Sequence, residues 1–177
     1  MPEFSIRPAT AADLASITAI YRHHVLHGTG TFETQPPDEP EMQRRMQEVA
    51  SRGLPWLVAT RAEGGLVMGF AYANWFRPRE AFRFTVEDSI YIAPQAQRQG
   101  LGGRLLDALI DACTACGARQ MLAVIGDAAN AGSIGVHGAK GFTEMGRLPA
   151  VGWKFERWLD VVLMQRALGA GAETTPA

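Results

Sequence analysis

The segment Gln97-Arg98-Gln99-Gly100-Leu101-Gly102-Gly103-Arg104 constrains this chain more than any other. Before it, Thr85 to Ile92 is rich in β-branched and aromatic residues and reads as a strand, closed by Pro94. After it, Leu105, Leu106, Leu109, Ile110, Cys113 and Cys116 recur at helical spacing as a buried face, with a stop at Gly117. A strand, a glycine turn and a helix N-terminus therefore follow one another. Backbone N–H groups at such a turn point outward together, and the helix end adds partial positive charge. Glycines keep Cβ atoms out of the way of an anion. Arg98 and Arg104 add formal charge at the rim. A phosphate or pyrophosphate fits this site, and a tight turn with no ligand fits the same glycines.

The kind of phosphate ligand narrows by exclusion. Gly-Lys followed by Ser or Thr is absent, so this is not a P-loop. Gly100-x-Gly102 is followed by Leu105, where a dinucleotide fingerprint needs glycine. The turn also lies mid-chain, after several strands, rather than in a first strand-to-helix unit.

The rest of the chain supplies those strands. Phe4 to Arg7 reads as a short strand, and Thr10-x-x-Asp13 as a capping box opening a helix to about His27. A second helix starts near Pro40 and stops at Gly53. Trp56 to Thr60 and Leu66 to Trp75 read as strands joined by a hairpin at Glu63-Gly64-Gly65. Met121 to Ile125 is a buried strand, and Asn130 caps a short helix ending at Gly141. Phe142 to Met145 and Trp158 to Leu168 read as the last strands, with Leu148 to Glu156 as the loop between them. The pattern predicts an α/β fold with a mixed, twisted central sheet flanked by helices. Residues 1–168 form one domain, and 169–177 a flexible C-terminal tail.

Composition excludes several classes. The chain has 177 residues, 47% hydrophobic and 20% charged, which is globular rather than disordered. Lys and Arg number 17 against 18 Asp and Glu, so the net charge of −1 gives no reason to expect nucleic acid or an acidic membrane. The first seven residues lack signal-peptide order, and two cysteines make no disulfide framework, so a cytoplasmic setting is expected.

Gln97-x-x-Gly100-x-Gly102 resembles the acyl-CoA pyrophosphate loop of the GNAT superfamily of N-acetyltransferases, and Asn130 with Gly141-Phe142 resembles its second signature. Ile6-Arg7-Pro8-Ala9-Thr10, Ile20 to Leu26, Phe84 to Ile92 and Val151 to Val161 are similar to the phosphinothricin and methionine-sulfoximine N-acetyltransferases. That subfamily includes L-amino-acid acyltransferases. The resemblance spans about residues 4 to 168. It implies the GNAT fold and direct acetyl transfer from acetyl-CoA to the α-amino group of a small amino acid or analogue. It also implies a homodimer with the late loop and last strands near its interface, and no metal.

Such a reaction needs a group to take the amine proton and donors for the oxyanion. Glu87 lies in an otherwise apolar strand, where burial would raise its pKa, and the resemblance puts the catalytic glutamate there. Its other reading is a structural pair with Arg77 or Arg83. Neighbouring strand residues face opposite ways, so Glu87 and Asp88 are no carboxylate dyad. By resemblance His137 stands at the position of a general acid, though it also reads as a packing residue of a short helix. Resemblance assigns Ile90, Tyr91 and Ile92, Gln97, Arg98, Gln99, Gly100, Leu101, Gly102 and Gly103, with Asn130 and Ser133, to the cofactor. Asn130 serves equally as a plain N-cap. It assigns Trp75, Phe76 and Arg77, Thr85, Val86 and Glu87, with Lys154 and Trp158, to the acceptor, Arg77 being the natural fork for a carboxylate. Trp75 and Trp158 also read as core aromatics.

Three other readings stay open: a different acceptor (polyamine, aminoglycoside or protein N-terminus), a non-catalytic acyl-CoA-binding module, and another chemistry on another nucleotide. Cys113-x-x-Cys116 lies near a helix end on its buried face, which favours packing over redox work. His23, His24 and His27 lack a completing Glu or Cys and read as helix-face residues rather than metal ligands. Gly28 to Thr31 reads as a connector, or as a lid near the substrate.

Overall fold

The computed structural model describes residues 4–62 and 65–176. The hairpin turn expected at Glu63-Gly64-Gly65 lies largely outside the described residues, as do Met1 to Glu3. Among the described residues seven strands form one sheet: β1 (Phe4–Pro8), β2 (Trp56–Arg61), β3 (Val67–Trp75), β4 (Thr85–Ile92), β5 (Gln120–Gly126), β6 (Thr143–Lys154) and β7 (Arg157–Ala167). Their order is β1-β2-β3-β4-β5-β7-β6. Every neighbouring pair is antiparallel except β4 and β5. The expected mixed sheet is therefore present.

Helices α1 (Leu14–His27) and α2 (Glu39–Ser51) cover one face, and α3 (Leu101–Ala115) and α4 (Ala131–Ala139) the other. Each starts for a local reason. Thr10 N–H donates to the Asp13 carboxylate at 2.8 Å in the 3-10 turn before α1. Asp38 accepts from Glu41 N–H, and Pro40 fills the first turn of α2. Asn130 accepts from Ser133 N–H to open α4. Alpha-3 buries Leu105, Leu106, Leu109, Ile110 and Cys113 against β1 to β4, and each fully buried leucine contributes about 1.5–3 kcal/mol. Cys116, expected on that buried face, is exposed just beyond the helix end.

The last strands differ from the expectation. Leu148 to Glu156 is not a loop; β6 continues through Lys154 and meets β7 at a two-residue turn. Gly146, Pro149 and Gly152 suggest a break, but β6 is an edge strand, where a missing ladder donor costs little. Its register shifts between Glu144 and Gly146 and between Leu148 and Gly152, so bulges absorb the misfits. The turn residues Phe155 and Glu156 both have positive φ, as a tight hairpin needs. Beyond β7 the chain turns twice, and Arg119 donates to Thr174 Oγ1 at 3.0 Å.

Candidate active site

The parallel β4/β5 pair is short. Thr85 pairs with Gln120, Val86 with Met121 and Glu87 with Leu122, and there the ladder ends. Beta-4 stays paired to β3 as far as Ile92, and β5 to β7 as far as Gly126. The two strands thus diverge, leaving backbone edges that face each other without a strand between them. A cavity of about 780 Å³ fills the opening. Because it passes between strands, it reaches side chains on both faces of the sheet.

The glycine turn sits at one end of this cavity. Gly100 is the N-cap of α3, with φ +77°, a conformation that disfavours any side chain. A Cβ at Gly102 would meet only Ile92 Cγ1, at 4.0 Å, so the first-turn N–H groups are approachable. Gln97, Arg98, Gly100, Leu101, Gly102 and Gly103 line the cavity, as do Ile90, Tyr91 and Ile92, and Asn130 and Ser133. Gln99 does not; its amide donates to the Gln95 carbonyl at 2.9 Å. Arg104 is not at the rim either, since it donates to the Phe4 carbonyl.

Glu87 lies on the α1/α2 face with Ser89 and Tyr91, opposite Asn74, Tyr72 and Phe70 of β3. Burial, then the neighbouring Asp88 charge, raises its pKa, and Arg77 partly offsets this. Among the described residues neither Arg77 nor Arg83 closes a salt bridge with it. The structural-pair reading of Glu87 is thus not what the side chain does. A second cavity of about 150 Å³ is lined by Tyr72, Asn74, Trp75, Glu87 and Ser89. Tyr72, Glu87 and Ser89 line both cavities.

The expected acceptor residues divide. Trp75 lines the small cavity. Val86 does not, because its side chain turns into the core on the other face. Thr85 and Phe76 meet through their backbones, and the Phe76 ring packs edge-on against Phe82. Arg77 is exposed, its guanidinium 5.0 Å from the Phe76 ring centre. Trp158 lies away, on the β6/β7 hairpin, 61% exposed and packed on Trp153.

Lys154 is not an acceptor group. It is 3% exposed and donates to the Gly28 and Thr31 carbonyls at 2.8 and 2.7 Å. Gly28, Thr29, Gly30, Thr31 and Phe32 line the large cavity, so the expected connector forms a wall held by this lysine. Gly126 and Gly152 leave the space it needs; a Cβ there would strike the Thr29 carbonyl and the Phe32 ring. Lys154→Met is expected to loosen this wall and weaken ligand binding in the large cavity several-fold, with a smaller change in the small one, measurable by calorimetry.

His137 is 5% exposed at the cavity wall on the α3/α4 face. Its Nδ1–H donates to the Ser133 carbonyl at 2.8 Å, and Nε2 lies 3.0 Å from Asp88 Oδ2. Burial opposes a charged ring, but the Asp88 carboxylate and the Ser133 carbonyl outweigh it and raise the pKa. Both nitrogens are occupied by protein groups. The expected free proton donor is therefore a buried His–Asp pair tying α4 to β4. Asp88 Oδ1 is buried without a partner among the described residues. Tyr72, Ser89 and Phe32 are given no role by the sequence, and Asp88 only a negative one, as no dyad partner of Glu87; Gly28 to Thr31, read as a connector or a lid, lines the cavity. His24 also lines the cavity, donating from Nε2 to the Ile92 carbonyl at 2.9 Å. No group of three potential metal ligands occurs among the described residues. No helix among them is long and apolar enough to cross a membrane.

The site is thus a parallel strand pair that opens above a glycine-capped helix, with a half-buried carboxyl at the fork. Residues 17–142 match the Acetyltransferase (GNAT) family, and the chain belongs to it. It is 51% identical over 172 residues to a phosphinothricin N-acetyltransferase of Alcaligenes faecalis, covering 97% of this chain and 86% of the relative. It is 44% identical over 162 residues to an L-methionine sulfoximine/L-methionine sulfone acetyltransferase of Pseudomonas paraeruginosa, covering 91% and 92%. The crystal structure of a phosphinothricin acetyltransferase from Sinorhizobium meliloti in complex with acetyl-CoA superposes with a TM-score of 0.95 at 49% identity, covering 98% of this chain and 93% of that one.

Proposed function

We propose that this enzyme transfers an acetyl group from acetyl-CoA to the α-amino group of a small amino acid or analogue, of the methionine sulfoximine, methionine sulfone or phosphinothricin type. The observation that carries this reading is Glu87 at the junction of the two cavities. The large one suits the acyl-CoA arm, and the small one suits a compact acceptor. Acetyl-CoA supplies the acetyl group as a thioester. Glu87 takes the proton of the incoming ammonium, directly or through one water, and its raised pKa matches that task; the neutral amine then attacks the thioester carbon, the C–S bond breaks, and CoA leaves as the thiol, taking the proton that the new amide nitrogen loses. The first-turn N–H groups of α3 hold the pyrophosphate, and the open backbone of Ile90 to Ile92 pairs with the pantetheine amides. Arg77, exposed and outside any salt bridge among the described residues, binds the acceptor carboxylate and adds positive charge beside Glu87. His137, paired with Asp88, fixes α4 as the cavity's far wall.

Residues 1–168 act as one acetyltransferase domain, with a cytoplasmic setting. The β6/β7 hairpin exposes Met145, Val151, Trp153, Phe155 and Trp158, an apolar patch that supports a homodimer through this edge. The chemical outcome is tested with acetyl-CoA labelled with ¹³C in the acetyl group. NMR of the methionine sulfoximine product should place the label on the α-nitrogen. Label on the sulfoximine nitrogen, or released only as acetate, contradicts the reading.

A further inference from the structure

We propose that Arg52 is a positioning residue that sets acceptor selectivity by fixing Asn74 and Trp75 in the wall of the small cavity. This rests on the acceptor reading of that cavity. Trp75 is the last residue of β3 and is 41% exposed, so core packing does not fix its ring. Arg52, just beyond α2, places its guanidinium 4.9 Å from the centre of that ring. The same guanidinium donates to Asn74 Oδ1 and to Glu48 Oε1. Glu48 thus anchors the fork from α2 while its other arm reaches β3.

The consequence falls on the Asn74 amide. Its Oδ1 accepts from Arg52 and, at 2.9 Å, from the Trp75 backbone N–H. Turning the amide over would face its NH₂ group towards two donors, so its orientation is set. Nδ2 is left to serve the cavity that Asn74 lines. An N–H donor there recognises an acceptor side chain that ends in an oxygen-bearing sulfur or phosphorus. It gives nothing to a plain thioether, which has only a weak acceptor. Arg52 does this through a planar fork that binds two groups and stacks on a third. Lysine cannot reproduce that geometry.

The test compares kcat/KM for methionine sulfone and methionine in the wild type, Arg52→Met, Arg52→Lys, Asn74→Ala and the Arg52→Met/Asn74→Ala double variant. Thermal unfolding of each confirms that it is folded. The ratio of sulfone to methionine should fall about tenfold in Arg52→Met, mainly through KM, with KM for acetyl-CoA within twofold. The ratio should fall equally in Asn74→Ala and no further in the double variant. Arg52→Lys should recover little of it, and it serves as the test if Arg52→Met does not fold. An unchanged ratio in folded Arg52 variants, losses that multiply in the double variant, or a matching rise in acetyl-CoA KM overturns the proposal. Failure of the acceptor reading itself would show differently, as a wild type inactive on both amino acids.

Discussion

Glu87→Gln is expected to lower kcat by about 10²- to 10⁴-fold, the range a positioned general base contributes. Binding of acetyl-CoA, measured by calorimetry, should change less than twofold, because glutamine keeps the shape of the side chain at the fork. The pH profile carries a second signature. Burial and the Asp88 charge raise the Glu87 pKa, so kcat/KM in the wild type should fall on the acid side at a pH above the ordinary glutamate value of 4.5. That limb should be absent from the residual activity of the variant. A variant that keeps wild-type kcat would remove Glu87 from the chemistry.

Asp88→Ala should give the second large effect, on stability. His137 and Asp88 are both buried, with Nε2 and Oδ2 3.0 Å apart. The His137 pKa is raised in the folded protein, so the pair stabilises fully below the unfolded histidine value and fades as pH rises through the folded one. Without Asp88, burial dominates and favours the neutral ring. The cost should therefore be about 3 kcal/mol near pH 6, where a buried charge loses its partner, and about 1 kcal/mol near pH 9. Urea midpoints across pH 6 to 9 measure it. Curves that run parallel at all pH values would show that the pair is not ionised.

Both predictions depend on residues of unequal visibility in the sequence. Glu87 is legible through the resemblance, since Asp88 stands beside it in the same strand and a carboxylate there does not by itself choose between them. The glycine turn is legible because glycine favours the left-handed backbone at Gly100 and leaves the helix end open. Asp88 is not legible, since its partner lies 49 residues away and only the docking of α4 brings them together. The same holds for Lys154, whose carbonyl partners are 126 and 123 residues distant. By resemblance Lys154 reads as part of the acceptor pocket, and only the fold shows its ammonium already bound. Gly126 and Gly152 gain meaning only once the 28–32 wall lies against them.

The late loop failed for a different reason. Proline and glycine are read as breakers whatever the strand's position, and edge status is a property of the sheet. Phe155-Glu156 also lacks the Asn-Gly signal that marks most tight hairpins, although both residues adopt positive φ. Val86 shows the finer limit: a matching segment Thr85-Val86-Glu87 does not say which side chains share a face, and alternation sends Val86 to the core.

The most direct test of the account is release of CoA thiol from acetyl-CoA by the wild-type enzyme across a panel of amines. The panel holds methionine sulfoximine, methionine sulfone, phosphinothricin, the common L-amino acids, spermidine and an aminoglycoside. Saturable turnover with the highest kcat/KM on the three oxygen-bearing analogues is the predicted result. Silence on all amino acids and analogues, with turnover on spermidine or the aminoglycoside, would contradict the proposed acceptor and with it the assignment of the small cavity.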